Sequence, residues 1–482
     1  MRFVPFLLLF VAPAGSYSQL YLDASANLPD NGAKGQSMDV RAADLDGDGD
    51  LDIVLANEFQ ANTWLRNQGD ETFSNASAGA MSSTVHDSED VAIADFNDDG
   101  DLDLVFCSED DVNLGTVNVH EYYLGNGAGA FVPATFLLPD SEANAVIATD
   151  LNGDDLPDLL FGNDGGTGVL INQSSAPGEF AVENNRVPQV DRTTQDLALA
   201  DVDGDGDLDL FEGNEDGNLL HINDGMGQFA NESFARLPQG LNIETRKAAF
   251  GDVDGDGDLD LFLANVLFIP GKNPQNRLFL NDGNGFFSDV TATQLPADSD
   301  HTIDAIFEDV DLDEDLDLVL GNVFGAPVKV YRNDGNGLFS DATLAILGQY
   351  YQRDALGLIA ADLNGDGFRD LYICDRKTPP SNNKDLLLLR TTATATEEPE
   401  GSEPTALLYP NPVVDHFYLQ TALPLPADSL SLLDLQGKVV AQVQAEPQGK
   451  GLYRFQVNRS KLRAGLYFLN LEGLVKRIFL AP

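Results

Sequence analysis

The sequence predicts an all-β chain, a seven-bladed β-propeller followed by a small C-terminal β-sandwich. Three observations predict it. A nine-residue acidic stretch occurs seven times, at intervals of 51, 55, 51, 51, 57 and 53 residues. Each copy sits among short apolar runs of strand length, and helical periodicity is essentially missing. Charge divides the chain: the net value is −52, yet residues 404–482 carry eight Lys/Arg against five Asp/Glu, so that tail is +3 and the remainder −55.

With 482 residues there is room for one large core and a smaller domain. The excess of 79 acidic over 27 basic residues argues against nucleic acid and anionic membrane surfaces as partners. Disorder is excluded by the 43% of hydrophobic residues, which are gathered into strand-like runs. Cys107 and Cys374 each follow the last acid of a repeat by four residues. Equivalent places in different repeats are too far apart for a disulfide, so both are expected as buried thiols. Met1–Ser18 has Arg2, an apolar run from Phe3 to Val11, and Ser16 and Ser18 before Gln19. This reads as a secretory signal peptide. The run is too short to span a bilayer, and no later segment is long and apolar enough, so no transmembrane segment is expected.

The repeats begin at Asp44, Asp95, Asp150, Asp201, Asp252, Asp309 and Asp362. A short apolar strand precedes each loop, as in Val91-Ala-Ile-Ala94, and a second follows it, as in Leu318-Val-Leu320. A third strand ends in an Asn-Asp-Gly turn, as in Leu278–Gly285, and a fourth opens with Phe, as in Phe287-Ser-Asp-Val-Thr291. Such turns supply the positive φ that tight hairpins need. The seventh repeat has three strands and no Gly-rich turn, and Leu20–Ser25 resembles the missing fourth. That segment is expected to complete the last blade and close the ring without an exposed edge. The expected divisions are 1–18 signal peptide, 19–390 propeller, 391–404 polar linker and 405–482 C-terminal domain. Six strands are expected in that domain: Asp415–Leu419, Leu430–Leu435, Lys438–Val443, Tyr453–Val457, Leu466–Leu469 and Val475–Leu480.

The first loop reads Asp44-Leu-Asp-Gly-Asp-Gly-Asp-Leu-Asp52. Acids at every odd position repel one another and need a cation to hold them in an ordered loop. Hard oxygens at positions 1, 3, 5 and 9 suit Ca²⁺, which takes six to eight oxygens in flexible geometry. Up to seven structural Ca²⁺ ions are therefore expected. The EF-hand pattern, with Glu at position 12, is met only by Asp201, Asp203, Asp205 and Glu212, and strands flank all seven loops, so that match is false.

These repeats resemble the FG-GAP/VCBS repeats of integrin-α-like propellers, over roughly residues 20–390. The resemblance implies side-chain ligands at positions 1, 3, 5 and 9. These are Asp44, Asp46, Asp48 and Asp52; Asp95, Asn97, Asp99 and Asp103; Asp150, Asn152, Asp154 and Asp158; and Asp201, Asp203, Asp205 and Asp209. The remaining sets are Asp252, Asp254, Asp256 and Asp260; Asp309, Asp311, Asp313 and Asp317; and Asp362, Asn364, Asp366 and Asp370. It also implies a main-chain carbonyl at position 7, which is Asp50, Asp101, Asp207, Asp258, Asp315 or Phe368 in six of the loops. Asp155 and Glu314 replace the usual glycine at position 6, and Leu312 replaces it at position 4 of the sixth loop. The third and sixth sites are therefore expected to be the weakest.

Tyr409-Pro-Asn-Pro412, Leu432–Gly437, Leu462–Phe468 and Lys476-Arg477 resemble a type A sorting domain of type IX secretion. That implies export to the outer surface or the medium, with the secretion machinery as one partner.

In an antiparallel blade the calcium loops share one face, and the longer, more varied connections share the other, where recognition on a rigid scaffold is expected. Asp39, Asp90, Asp196 and Asp304 each lie five residues before a loop, with Lys247 at the same place in the fifth repeat. They would ring the mouth of the central channel or cap a loop-to-strand turn. Tyr350, Tyr351 and Arg353, with Arg376 and Lys377, form a second candidate ligand face, and Val266–Pro270 is an apolar insertion. No nucleophile–base set, zinc spacing or phosphate loop is present, and the five histidines fall at unrelated places. The expectation is a secreted, non-enzymatic module binding an extracellular protein or polysaccharide. The alternative is a polysaccharide lyase drawing its base from Tyr351, Arg353 or Lys247.

Overall fold

The computed structural model describes residues 20–33, 35–376 and 384–391, the strands between 407 and 480, and Leu462. The signal-like segment, residues 392–404 of the expected linker and Lys377 lie outside the described residues. The chain divides into two compact units, Met1–Ala393 and Thr394–Pro482.

The first unit is all-β and built from one repeated sheet. In the fourth repeat, Thr194–Ala200, Asp209–Asn214, Leu219–Asn223 and Phe229–Asn231 pair antiparallel in sequence order. Every second strand begins on position 9 of its acidic loop, at Asp52, Asp103, Asp158, Asp209, Asp260, Asp317 and Asp370. The loop is thus a hairpin connection, and its last acid is already the first rung of the ladder. Second strands are buried along most of their length, which is why they read as apolar runs with little alternation.

The seventh repeat supplies Ala355–Ala361, Asp370–Asp375 and Leu386–Arg390, and Tyr21–Asp23 pairs with the last of these, Tyr21 lying opposite Arg390. First strands of successive repeats lie side by side, and that of the seventh packs against that of the first. Between neighbouring sheets lie separate apolar layers, such as Phe211, Leu220, Leu261, Leu263 and Phe279. Edge-to-face aromatic pairs reinforce them, as for Phe96 with Tyr122 at 5.8 Å, each contributing about 1 kcal/mol beyond simple burial. Cys107 and Cys374 are free and fully buried in two of these layers.

One junction departs from the pattern. The second strand of the first repeat, Asp52–Gln60, overruns its sheet and pairs with His86–Ala94 of the second repeat, Glu58 facing Asp87. The two sheets merge into one of eight strands, and Phe59 at the register shift holds φ at +53°.

The C-terminal unit has two four-stranded sheets. One orders Leu407–Tyr409, His416–Gln420, Leu452–Gln456 and Ala445–Gly449; the other orders Val439–Val443, Leu430–Leu433, Gly465–Leu471 and Leu474–Leu480. The six expected strands occur within about a residue or two of their expected bounds, and two are additional. Ala445–Gly449 contains Pro447 and lies at a sheet edge, where a missing N–H is tolerated.

Candidate metal loops and a central cavity

Each acidic loop is drawn tight by its own carboxylates. Asp44 Oδ1 accepts from the Gly47 N–H at 2.8 Å and its Oδ2 from the Gly49 N–H at 3.0 Å. Asp201 and Asp252 repeat the arrangement. Asp48 Oδ1 accepts from the position 7 N–H at 3.1 Å. Positions 4 and 6 take positive φ, +74° at Gly47 and +95° at Gly49. Asp98, Asp155, Leu312 and Glu314 adopt the same conformation without being glycine, at +58°, +69°, +62° and +73°. The irregular loops therefore keep the common backbone, at a strain on the order of 1 kcal/mol per residue.

Position 9 is a structural post. Asp260 Oδ2 accepts from the Val253 N–H at 3.1 Å and its Oδ1 from the Asn281 N–H at 2.9 Å, tying loop, second strand and third strand together. Asp158, Asp209, Asp317 and Asp370 do the same. Burial pushes the carboxyls of Asp52, Asp103, Asp158 and Asp209 up to about 6, and those of Asp260, Asp317 and Asp370 to about 7, against the backbone donors that favour the anion.

Position 3 is different. Asp46, Asp203, Asp254 and Asp311 each hold a buried carboxylate oxygen with no hydrogen-bond partner. Burial raises all four. In the same four loops, carboxylate oxygens from three ligand positions come within 4.8 Å of one another: Asp44, Asp46 and Asp48; Asp201, Asp203 and Asp209; Asp252, Asp254 and Asp260; Asp309, Asp311 and Asp317. Arginines lie against the other oxygen in three of these loops, Arg66 at Asp46, Arg236 at Asp203 and Arg332 at Asp311, and the remaining buried oxygens without a donor, in loops whose hard carboxylates converge, fit a Ca²⁺ ion. The side chains at position 7 lean instead over the turn between strands three and four. A Cβ on Gly225 would sit 2.4 Å from Asp207 Oδ2, and one on Gly283 2.5 Å from Asp258 Oδ2. Glu212, the false EF-hand residue, is buried on its strand and accepts from Thr167 Oγ1.

The loops are also tied around the ring. Asn67, Asn172, Asn281 and Asn333 donate from Nδ2 to the position 2 carbonyls of the preceding repeat's loop, at Leu363, Phe96, Val202 and Val253.

At the other end of the same strands lies a cavity of about 490 Å³. Asp39, Asp90, Asp196, Lys247 and Asp304 all line it. A register shift immediately precedes each of them, and a shift of this kind interrupts the first strand in all seven repeats. Asp90, Asp196 and Asp304 accept from the backbone N–H groups of Val146, Ala248 and Leu358 on the next repeat, and they still face the channel. Lys247 Nζ lies 3.1 Å from Asp196 and 4.0 Å from Asp304, which hold its ammonium up against burial. Arg41 lies 2.6 Å from Asp39 and 2.8 Å from Asp90. Burial nevertheless raises Asp39, while Arg41 and the hydrogen bonds it receives keep Asp90 low.

The rim holds residues that no offset rule had marked. Phe268, from the apolar insertion, stacks on His301 at 6.1 Å, touches Phe324 and lies under the Arg246 guanidinium at 4.7 Å. Val266 of the same insertion is fully buried, so the segment folds down at one end and forms wall at the other. Glu58, Glu89, Glu109 and Arg376 complete the opposite side. The second candidate face does not assemble. Tyr350 is exposed, Tyr351 is buried in the apolar layer between the sixth and seventh sheets, and Arg353 is engaged by Asp375 at 3.1 Å. Tyr351 packs inward because its backbone carbonyl receives the Val328 N–H, which fixes the connection against the sheet. Lys247 is therefore the one proposed lyase base that reaches the cavity.

Among family models, the FG-GAP-like repeat matches residues 29–106, 150–212, 201–263 and 309–373, over half of the chain, and the secretion system C-terminal sorting domain matches 407–478. No curated protein matches. Among solved structures, BBS1N in complex with ARL6DN is 13% identical, covering 78% of this chain and 98% of that one with a TM-score of 0.50, a likeness of fold alone. An Agrocybe aegerita lectin structure described for recognition of non-reducing terminal N-acetylglucosamine is 20% identical (TM-score 0.42; 64% and 80% covered). An ancestral GH74 enzyme is 10% identical (TM-score 0.44; 96% and 64% covered). Among the described residues, no helix is long and apolar enough to cross a membrane.

Proposed function

Since this chain belongs to the FG-GAP-like repeat family and ends in a secretion sorting domain, we propose that it is a seven-bladed, Ca²⁺-loaded propeller exported by type IX secretion, a non-enzymatic module for an extracellular protein or glycan. The observation that carries the binding role is the cavity of about 490 Å³, lined by charge and aromatic surface at the end of the strands away from the acidic loops. Concave sites of this size with a few convergent polar groups are the usual form of a ligand pocket.

The loops supply the frame. Positions 1, 3, 5 and 9 would hold each ion, and Ca²⁺ would supply positive charge to oxygens that lack a donor. The sorting domain match supports export, and the N-terminal segment supports a first passage through the inner membrane. The test is glycan-array and surface-protein capture with the full chain, comparing wild type with Arg246→Ala/Phe268→Ala at the rim. Loss of capture in the variant supports the reading, and capture unaffected by it moves recognition elsewhere. Incubation with acidic polysaccharides addresses the lyase alternative: a rise in absorbance from unsaturated ends, abolished by Lys247→Ala, would replace this reading.

A further inference from the structure

The merged junction between the first and second repeats concentrates acid where the sheet pattern would forbid it. Glu58 and Asp87 face each other across the pairing, and like charges directly opposite on a sheet repel. Asp87, Glu89 and Glu109 bring carboxylate oxygens within 4.8 Å of one another, about the span of two Ca–O bonds. Glu109 is positioned by its own N–H, which donates to the Asp87 carbonyl at 2.9 Å. Glu58 faces Asp87 across the pairing and adds its negative charge to the group. It is only 7% exposed, its Oε1 is held by Arg376, and its Oε2 is buried with no hydrogen-bond partner. Asp87 Oδ1 is likewise buried and unpartnered.

We propose that Asp87, Glu89 and Glu109, with Glu58 opposite Asp87, bind a hard divalent cation, Ca²⁺ by its chemistry, at the mouth of the central cavity. This site is separate from the seven loops and does not depend on how they are filled. Carboxylates alone select hard cations over thiophilic ones. The nearby cations are Arg376, which pairs with Glu58, and Arg246, which pairs with Glu215 and Glu244. Three carboxylates supply fewer oxygens than the six to eight that Ca²⁺ takes. The remaining positions fall to water or to oxygens of whatever enters the cavity, which makes the ion a bridge to hydroxyl-rich or carboxylate-bearing partners.

The experiment is equilibrium dialysis of the full chain against Ca²⁺ followed by metal analysis, for wild type, Asp87→Asn/Glu89→Gln and the loop variant Asp254→Ala, which removes the position 3 oxygens altogether. The proposal expects the double variant to bind one ion fewer than wild type, and that loss to add to the one from Asp254→Ala. An unchanged count in the double variant overturns it; an unchanged count in Asp254→Ala overturns the loop reading instead. Melting gives a second readout, because removing repulsion raises the melting temperature in chelator, whereas in Ca²⁺ the lost ion cancels the gain. An equal rise in both conditions overturns the proposal. If the double variant does not fold, the exposed Glu109→Gln serves in its place, with the apparent affinity of one ion expected to weaken about tenfold and an unchanged titration counting against the site.

Discussion

The two ends of the same strands use carboxylates in opposite ways. At the loop end, positions 1, 3, 5 and 9 repeat nearly unchanged in seven copies, backbone N–H groups already satisfy positions 1, 5 and 9, and the orphaned oxygens fall at position 3. At the cavity end, the acids differ from repeat to repeat, and each is met by something individual: Arg41, Lys247, a neighbouring N–H or another acid. Repetition marks the part that builds the ring, and irregularity marks the part that can distinguish one partner from another.

The largest expected effect comes from emptying the loops. If several ions bind only the folded chain, each adds on the order of 2–3 kcal/mol at 100-fold excess over its dissociation constant. Chelator should therefore lower the melting temperature by roughly 10 °C or more. A melting temperature that does not move, or less than about one Ca²⁺ per chain on metal analysis, would remove the loop end from the comparison.

Within one loop, position 9 should matter far more than position 7. Asp260→Ala strips two backbone N–H groups of their acceptor and leaves them buried, a loss of about 3–5 kcal/mol. Asp207→Ala, whose side chain leans over an exposed turn, should stay within about 0.5 kcal/mol by denaturant titration. Comparable losses would mean that the position 7 side chain, not its carbonyl, is the ligand.

At the cavity end, Lys247→Ala leaves Asp196 and Asp304 buried without their cation and should destabilise by about 2–3 kcal/mol. Adding Asp196→Asn should recover part of that loss. A double-mutant cycle showing no coupling would mean that the ring of charge is held by backbone donors alone.

The smallest effect concerns pH. His120 is buried, takes the Ser108 N–H on Nδ1 and contacts Ser141 Oγ at 2.9 Å; burial lowers it from 6.5 to about 4. The unfolded chain therefore binds the proton first, and stability falls as pH drops from about 6.5 towards 4. At pH 5.5 the loss is on the order of 1 kcal/mol, and His120→Gln should flatten that portion of the stability profile. An unaltered profile would show that acidification acts through the carboxylates instead.

Much of this was legible beforehand because strict spacing carries geometry. A fixed offset of five residues from each loop was enough to set Asp39, Asp90, Asp196, Lys247 and Asp304 around one channel. The incomplete seventh repeat pointed to Tyr21–Asp23 as its missing strand. What stayed hidden lies in connections of unequal length, where no register can be counted. Phe268 reaches the rim through an insertion, and Glu58 meets Asp87 only because one strand overruns its sheet. Tyr351 looked presentable as sequence, yet its burial depends on a hydrogen bond from Val328.

The pairing of Tyr21–Asp23 with Leu386–Arg390 has a consequence in time. The strand made first must wait for the strand made last among these repeats, across more than 360 residues of chain. Contacts so distant in sequence form late, after a large loop-closure entropy has been met. Until then the nascent chain is an open row of sheets with an unfinished edge, held from completion by the order in which it is synthesised.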